Sequence, residues 1–486
     1  MKKKTIMNWV LATTLVCGSS VSTSCSSDND DNPAQEQAKK NRTEFIEHTR
    51  ATLKDLAENL NFTSWEAANR ANLYFNQYVL NNPEFNRVVG KMFVEESRKT
   101  LKPVEEGSEL AEMGFKQYGT VDFSEFNYRF TMTDDHTTFN VEAAEDFEVI
   151  TNRYNPTTQQ VEKGSFKLTL AAGGGKTYKT VVPAAELAEP TAIVVIIPSE
   201  FQFAISVKLN GTWNELFTGT FNNKFTVAEG HEYVSTERDN WEVSGTIKSE
   251  LNLASNYGLP NDKTALNFDI NINRVDHKGD ATVSWEQNGR NMFELSLKES
   301  GDGTGGIYNL DLSQFTSASS IFDVIGALLS SRNIDEGKIT LLDDLTTTFS
   351  VTDMPKVLEL ARENDAARRH YADQQTIDQY TQELNKLVKA EMTCKGVNQT
   401  IPGKLVTTKF GVDWWTMPAF NFADENGYVT LTDLLDPESV TYGINIIDHA
   451  AAPMSQSIIV MRQLLQYFQQ VFVPILINDG QALTME

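Results

Sequence analysis

Apolar residues change their spacing near Gly119, and this change divides the chain into sections of different secondary structure. Between Ala38 and Tyr118 they recur every three to four positions, which places them on one face of an α-helix. Thr63-Ser-Trp-Glu66 has the spacing of a capping box, and Asn82-Pro83 joins an N-cap residue to a proline in the first helical turn. The pattern predicts a helical section over residues 41–118 that contains three helices.

Beyond Gly119 apolar and polar residues alternate, as in a strand with one buried face. About a dozen such segments follow up to residue 316, separated by turn sequences such as Asn210-Gly211 and Asn288-Gly289. Because no helical segment lies between them, they predict a large antiparallel β meander over residues 119–316. Such a meander would stay a curved sheet or close as a barrel or a sandwich.

Helical spacing returns in a mixed section over residues 317–486. The segments of helical spacing are Ile321–Ser331, Met354–Met392 and Pro453–Val473, whereas Lys338–Val351 and Lys404–Thr432 have the pattern of a strand and a hairpin. Arg462 and several glutamines interrupt the last helical segment, so we do not expect it to span a membrane. Together the sections predict an α+β fold whose C-terminal section, with long helices, packs on the β domain.

The first 24 residues have the organisation of a secretory signal. Three lysines follow Met1, and Ile6–Cys17 is a mostly apolar run that is too short to cross a bilayer as a helix. Small residues from Gly18 to Ser24 then lead to Cys25 and a polar, acidic stretch. We expect residues 1–24 to be removed as a signal peptide and residues 25–40 to form a flexible tether.

The segment around Cys25 resembles the N-terminus of a bacterial lipoprotein, and in particular of Bacteroidota lipoproteins that are exported to the cell surface. Thr23 and Ser24 match the small residues before the lipidated cysteine of that family, whereas Ser22 stands where an apolar residue is preferred. The resemblance implies a lipid on Cys25 and a location in the outer membrane. It also implies a surface-export signal in the run Ser27, Asp28, Asn29, Asp30 and Asp31. The alternatives are a periplasm-facing orientation, or cleavage after Ser20 or Ser24 without lipidation, which would give a secreted protein.

Cysteine content and net charge restrict the class further. Removal of Cys17 and lipidation of Cys25 would leave Cys394 as the remaining thiol, so we expect no disulfide. The formal net charge is −24, and no basic cluster follows the N-terminal lysines. Because nucleic-acid affinity depends on lysine and arginine side chains that neutralise phosphates, we do not expect nucleic acid among the partners.

Two segments partly match ligand-binding loops. In the segment that ends at Lys176-Thr177, Leu170 occupies the place of the first glycine of a P-loop, and a strand-like segment follows where a helix is required. In the segment Phe422–Asp433, glycine falls at position six of a calcium loop, but Phe422 stands where a carboxylate is needed. We predict hairpin turns at both places.

Other candidate chemistry is scattered along the sequence. The six histidines occur singly, without the spacing of zinc ligands, and Asp134-Asp135-His136 lies where a strand is expected to turn. Cys394 has no base near it in sequence, so we interpret it as a structural thiol. Paired acids such as Asp343-Asp344 qualify as glycosidase carboxylates only if folding sets a suitable separation. We therefore predict neither a metal site nor a cofactor.

Trp414-Trp415 is the best candidate for a ligand-binding segment. Neighbouring side chains of a strand point to opposite faces, so one ring would be buried and the other exposed as a surface on which a sugar stacks. The alternative is that both rings pack between the strand and a helix.

These observations favour a lipid-anchored cell-envelope protein with a non-catalytic binding or scaffolding role on the outer membrane. The expected partners are the membrane, through the N-terminal lipid, and a glycan, a protein or another envelope component. Two further hypotheses are a hydrolase that uses carboxylates and a carrier that holds an apolar ligand in the groove of a curved sheet.

Overall fold

A computed structural model of the chain describes residues 33–59, 79, 82–155, 159–173, 175–184, 189–209, 211–225, 227, 229–234, 241–251, 263–273, 276–301, 333–410, 412–423 and 428–430. The predicted signal peptide, Cys25 and the export run lie outside the described residues. So do the expected helices Ile321–Ser331 and Pro453–Val473, and all but Val79 of the helix expected after Thr63.

The helices of the described residues are α1 (Pro33–Asn59), α2 (Pro83–Lys99), the short α3 (Glu109–Glu112), α4 (Met354–Arg369) and α5 (Gln374–Leu387). The strands are β1 (Lys102–Pro103), β2 (Gln117–Asp122), β3 (Tyr128–Met132), β4 (Phe139–Ala143), β5 (Phe147–Asn155), β6 (Gln160–Ala172), β7 (Thr177–Ala184), β8 (Thr191–Pro198), β9 (Glu200–Leu209), β10 (Thr212–Phe225), β11 (Trp241–Leu251), β12 (Thr264–Asn273), β13 (Lys278–Gln287), β14 (Arg290–Ser300), β15 (Asn333–Leu341), β16 (Leu345–Val351), β17 (Val388–Cys394), β18 (Val397–Phe410), β19 (Asp413–Asn421) and β20 (Tyr428–Thr430).

The chain divides into two compact units. The first unit takes the described residues within Met1–Phe62, His277–Leu310 and Ser320–Met454, and therefore combines α1 with β13 to β20, α4 and α5. The second unit takes those within Thr63–Asp276, which hold α2, α3 and β1 to β12. Most of the expected helical section thus belongs to the second unit, while α1 joins strands that lie more than 200 residues later.

In the first unit the strands follow one another across the sheet from β13 to β20, and each neighbouring pair is antiparallel. The alternating pattern and the turn sequences predicted β13 and β14 within the meander up to residue 316. Beyond residue 316 we expected one strand where β15 and β16 lie, a helix where β17 lies and a hairpin where β18 to β20 lie. At the β13–β14 turn, Asn288 and Gly289 have φ angles of 52° and 79°, the left-handed values of a two-residue hairpin loop. The antiparallel pairing is therefore confirmed for β13 and β14, and the open sheet continues through β20, beyond the predicted end of the meander.

Helix α1 packs on this sheet through the residues whose spacing predicted it. Phe45, Leu53 and Leu56 are buried in a core with side chains from β14 to β20. The Phe45 ring lies 5.8 Å from the Phe420 ring and 5.2 Å from the Phe422 ring, measured between centroids. The helix begins at Pro33, so residues 33–40 of the segment that we expected to be a flexible tether are helical.

The expected helix Met354–Met392 is wrong in two respects. It is interrupted between α4 and α5, where Tyr371 has a φ of 57° and the Asp373 carboxylate accepts the Thr376 N–H as the N-cap of α5. From Val388 onward the chain is strand β17, paired with β16 and β18. Both helices pack toward β18, where Leu360 and Leu384 share a cluster with Leu405. Within residues 333–430, the described part of the C-terminal section, the chain therefore has more strand and shorter helices than predicted.

In the second unit the strands form two groups, ordered β1-β2-β8-β7 and β4-β3-β5-β6-β9-β10-β11-β12. Two pairs, β2–β8 and β3–β5, are parallel, so the expectation of a purely antiparallel meander is wrong for this unit. The reason is visible in β8, whose side chains are buried along almost its whole length. A continuous apolar run is typical of a strand that is covered on both faces, as parallel strands usually are.

Local signals predicted the start of α2 correctly, but they missed its end. The Asn82 side chain accepts the N–H groups of Glu84 and Phe85 at 3.1 and 3.3 Å, as an N-cap residue does. The buried Phe85 ring packs edge-on against Phe130 of β3 at 5.2 Å. Helix α2 ends at Lys99, and the residues up to Tyr118 form β1, α3 and the start of β2 rather than a continuous helical section.

Among the described helices, none is both long and apolar enough to cross a bilayer.

Candidate functional site

The two tryptophans singled out from the sequence lie at the start of β19 and are both half-buried. Trp415 stands opposite Thr408 of β18, and the Arg368 guanidinium carbon of α4 lies 3.9 Å above its ring centroid. Trp414 stands opposite Lys409, whose ammonium nitrogen is 5.8 Å from the indole centroid. Because a side chain of α4 covers one face of the Trp415 ring, Trp414 is the better placed of the two to contact a ligand.

A different group of side chains forms the most concentrated chemistry in the described part of the first unit. His48, Asp344 and Cys394 place one nitrogen, one carboxylate oxygen and one sulfur within 4.8 Å of one another. His48 lies in α1, Asp344 closes the turn between β15 and β16, and Cys394 is the last residue of β17. Strand register brings the last two together, because Leu345, the neighbour of Asp344, pairs directly with Cys394.

The Asp344 carboxylate is held on both of its oxygens. Oδ2 accepts a hydrogen bond from the Thr52 hydroxyl at 3.1 Å, and Oδ1 accepts the Lys395 backbone N–H at 3.0 Å. The same Lys395 N–H also lies 3.1 Å from the Asp344 carbonyl oxygen. His48 Nδ1 is 3.5 Å from Oδ2, which is too long for a good hydrogen bond. The carboxylate is thus oriented by the hydroxyl and the backbone rather than by the imidazole.

Gly396 brings the β17–β18 turn close to the imidazole. It has a φ of 93°, which L side chains rarely adopt, in the two-residue turn that joins Cys394 to Val397. A Cβ atom at this position would meet His48 Nε2 at 3.1 Å. The turn therefore needs glycine both for its backbone conformation and for the close approach of His48.

Burial and negative charge keep the Cys394 thiol protonated. Burial is the largest cause, followed by the charges of Asp344 and Glu44, and together they raise the pKa of Cys394 to about 12. The cysteine is 5% exposed, whereas the His48 and Asp344 side chains are 43% and 21% exposed. The cluster therefore extends from the core to the surface, with its softest ligand atom innermost.

The sequence analysis did not predict this cluster. Cys394 was expected to be a structural thiol and the histidines to be isolated, because the three residues come from positions 48, 344 and 394 with no short-range motif. Asp343 and Asp344, named above as paired acids, have different partners. Asp343 accepts the Asn291 amide at 2.9 Å, while Asp344 belongs to the cluster. The three residues meet because β16 pairs with β17, and because α1 packs on the same sheet.

The remaining motifs are turns or connections. Asp134-Asp135-His136 lies in the exposed β3–β4 turn, as expected. In the calcium-like segment Phe422 is 2% exposed in the core, and the flanking strands β19 and β20 pair antiparallel. The glycine at position six and the aspartate at position twelve lie outside the described residues. The P-loop-like segment is not a hairpin turn, because β6 and β7 belong to different groups of strands. No helix follows it, so the feature that binds phosphate in a P-loop is missing.

The chain matches no known protein family, no curated protein and no solved structure. Its function must therefore be argued from its own residues.

Proposed function

We propose that this protein is a lipid-anchored component of the outer membrane with a non-catalytic binding or scaffolding role. The observation that carries the proposal is Cys25, which follows an apolar segment and small residues and precedes the acidic run Ser27–Asp31. Its ligand would be a glycan, a protein or another envelope component.

The position of the first helix supports an anchored body. Helix α1 begins at Pro33, eight positions (33 − 25) after the cysteine that we propose to be lipidated. Eight extended residues reach at most about 26–29 Å. A lipid on Cys25 would therefore hold the first unit near the membrane surface, where a binding or scaffolding protein meets envelope ligands.

Two features of the described residues support binding over catalysis. The Cys394 thiol, with its pKa raised to about 12, is a poor nucleophile at neutral pH. Trp414, half-buried beside the Lys409 ammonium group, combines an indole face with a hydrogen-bond donor, as a sugar-stacking surface does.

The anchor is tested by incorporation of radiolabelled palmitate into the wild type, Cys25→Ala and Cys17→Ala. We expect label in the wild type and in Cys17→Ala, and none in Cys25→Ala. Equal labelling of all three chains would refute lipidation at Cys25.

The orientation is tested by protease treatment of intact cells. We expect the wild type to be degraded, and a variant with Asp28, Asp30 and Asp31 changed to asparagine to be protected while it still incorporates palmitate. Protection of the wild type would refute the surface location without affecting the anchor.

The binding role is tested by titration of the purified full chain with outer-membrane polysaccharide. Trp414→Ala should weaken binding. Trp213→Ala is the matched control, because Trp213 is also half-exposed beside a lysine, Lys208, at 5.5 Å. Equal effects of the two substitutions would argue against Trp414 as a binding residue.

A further inference from the structure

We propose that His48, Asp344 and Cys394 form a binding site for a divalent transition-metal ion, with zinc as the best fit. The site is independent of the lipid anchor and of the binding role proposed above. It lies where the hairpins β15–β16 and β17–β18 meet helix α1.

The donor set selects the class of metal. Imidazole nitrogen and thiolate sulfur are preferred by zinc and its neighbours in the transition series, whereas calcium and magnesium prefer oxygen alone. A carboxylate as third ligand is common for zinc, and three protein ligands leave the fourth tetrahedral position open to water. The partial exposure of His48 and Asp344 gives that position a path to solvent.

The separation of the nitrogen and oxygen donors agrees with tetrahedral coordination. With zinc–nitrogen and zinc–oxygen bonds of about 2.0–2.1 Å, a nitrogen and an oxygen ligand lie about 3.3–3.4 Å apart, and a sulfur bond of about 2.3 Å widens this to about 3.6 Å. His48 Nδ1 and Asp344 Oδ2 are 3.5 Å apart, close to the tetrahedral value, whereas separations within the group of three donor atoms reach 4.8 Å. Coordination by all three residues would therefore draw the donor atoms together by about 1 Å, through side-chain rotation. A direct His–Asp hydrogen bond would instead require about 2.7–3.2 Å.

The surroundings of the cluster also resemble those of a metal site. The Thr52 hydroxyl and the Lys395 N–H orient the carboxylate, as outer partners of metal ligands do. Glu44 lies one helical turn before His48, and its charge acts on the Cys394 sulfur. Binding of the ion would displace the proton of the Cys394 thiol to solvent. Asp344, Glu44 and the resulting thiolate would then place three negative charges around the ion, which favours a dication.

The sulfur gives the experiment its most specific readout. We would strip the purified full chain of metal with a chelator and titrate it with Co²⁺, which reports thiolate ligation through a near-ultraviolet charge-transfer band and tetrahedral geometry through intense visible bands. The wild type should bind one equivalent with both signatures, and Zn²⁺ should displace the cobalt.

Variants then assign the ligands. Cys394→Ser should abolish the charge-transfer band, and Asp344→Asn and His48→Gln should each weaken Co²⁺ affinity by at least the 10- to 100-fold typical of losing an outer partner. Asp344→Asn keeps an oxygen that can accept the Lys395 N–H and should therefore fold. Its cobalt affinity tests the metal site even if Cys394→Ser folds poorly. Urea unfolding of each variant verifies that the fold is retained.

Two control variants separate this site from adventitious binding. His231→Ala removes a histidine whose Nδ1 lies 3.1 Å from a Glu109 carboxylate oxygen in the second unit. This His–carboxylate pair is not part of the proposed site. Cys25→Ser removes the cysteine predicted to be lipidated. Both should retain the cobalt signatures and affinity. A band that survives Cys394→Ser, that disappears in Cys25→Ser, or that never forms in the wild type would overturn the proposal.

Discussion

The hydroxyl group of Thr52 donates a hydrogen bond to Asp344 Oδ2 at 3.1 Å, although the two residues are 292 positions apart in sequence. This bond joins helix α1 to the β15–β16 turn beside His48 and Cys394. It has two consequences, because it stabilises the packing of the helix and orients a carboxylate that we propose as a metal ligand.

Thr52→Val removes this donor and keeps the shape of the side chain. We expect the free energy of unfolding to fall by about 1 kcal/mol, the usual net contribution of one hydrogen bond. Cobalt affinity should fall about tenfold, because an outer partner of the ligand is lost. Urea unfolding and cobalt titration measure the two effects. Thr43→Val is the matched control on the same helix, since the Thr43 hydroxyl donates to the Lys39 carbonyl in an exposed hydrogen bond, and it should leave the metal affinity unchanged.

Gly396→Ala tests the close approach of the β17–β18 turn to His48. Its control is Gly289→Ala, in the β13–β14 turn of the same unit, where φ is also positive but no atom lies within 4 Å of the added Cβ. We expect Gly289→Ala to cost about 1–2 kcal/mol from backbone conformation alone. Gly396→Ala should cost more and should also weaken cobalt binding, because the imidazole must move. Equal losses for the two substitutions would show that His48 does not constrain the turn.

The reactivity of Cys394 follows from its raised pKa. At pH 8 a thiol with a pKa of about 12 is ionised to about one part in 10⁴, whereas an ordinary cysteine is about one quarter ionised. In a chain with Cys17→Ser and Cys25→Ser, we expect iodoacetamide to label the metal-free native protein about a thousandfold more slowly than the urea-unfolded protein. Mass spectrometry of time points measures both rates, and similar rates would contradict the burial of the sulfur.

The end of α1 is held by an ion pair whose contribution depends on pH. Arg290 donates to both carboxylate oxygens of Asp55, one of them at 3.0 Å, and this bond is the main cause that lowers the pKa of Asp55. A lowered pKa means that the pair stabilises the fold above the unfolded-state value of about 3.9 and that this contribution is lost as the pH falls through the folded-state pKa.

Asp55→Asn should therefore destabilise the protein by up to about 1 kcal/mol at pH 7 and by close to zero near pH 2, a small effect because both side chains are partly exposed. Urea unfolding at the two pH values measures this difference. Glu58→Gln is the control, because Glu58 forms a more exposed pair with Lys54 at 3.9 Å. A larger effect at pH 2 than at pH 7 would have the wrong sign for this mechanism.

Short-range patterns predicted those elements whose cause is local. The N-cap Asn82 and the turn residues Asn288 and Gly289 act on neighbouring peptide groups, so their roles are readable from a few letters. The break between α4 and α5 was missed, although Asp373 is an N-cap that could have indicated it. The change to strand at Val388 had no comparable local signal, because it depends on pairing with β16 and β18.

By itself the sequence determined the α+β class, the antiparallel hairpin of β13 and β14, the face of α1 that is buried and the resemblance of its first residues to a lipoprotein signal. Only the tertiary structure decided the parallel pairs in the second unit and the meeting of His48, Asp344 and Cys394. The physical reason is that hydrophobic periodicity specifies which face of an element is buried, but not which distant element covers it. That choice depends on strand register and helix packing, which here bring positions 48, 344 and 394 within 4.8 Å.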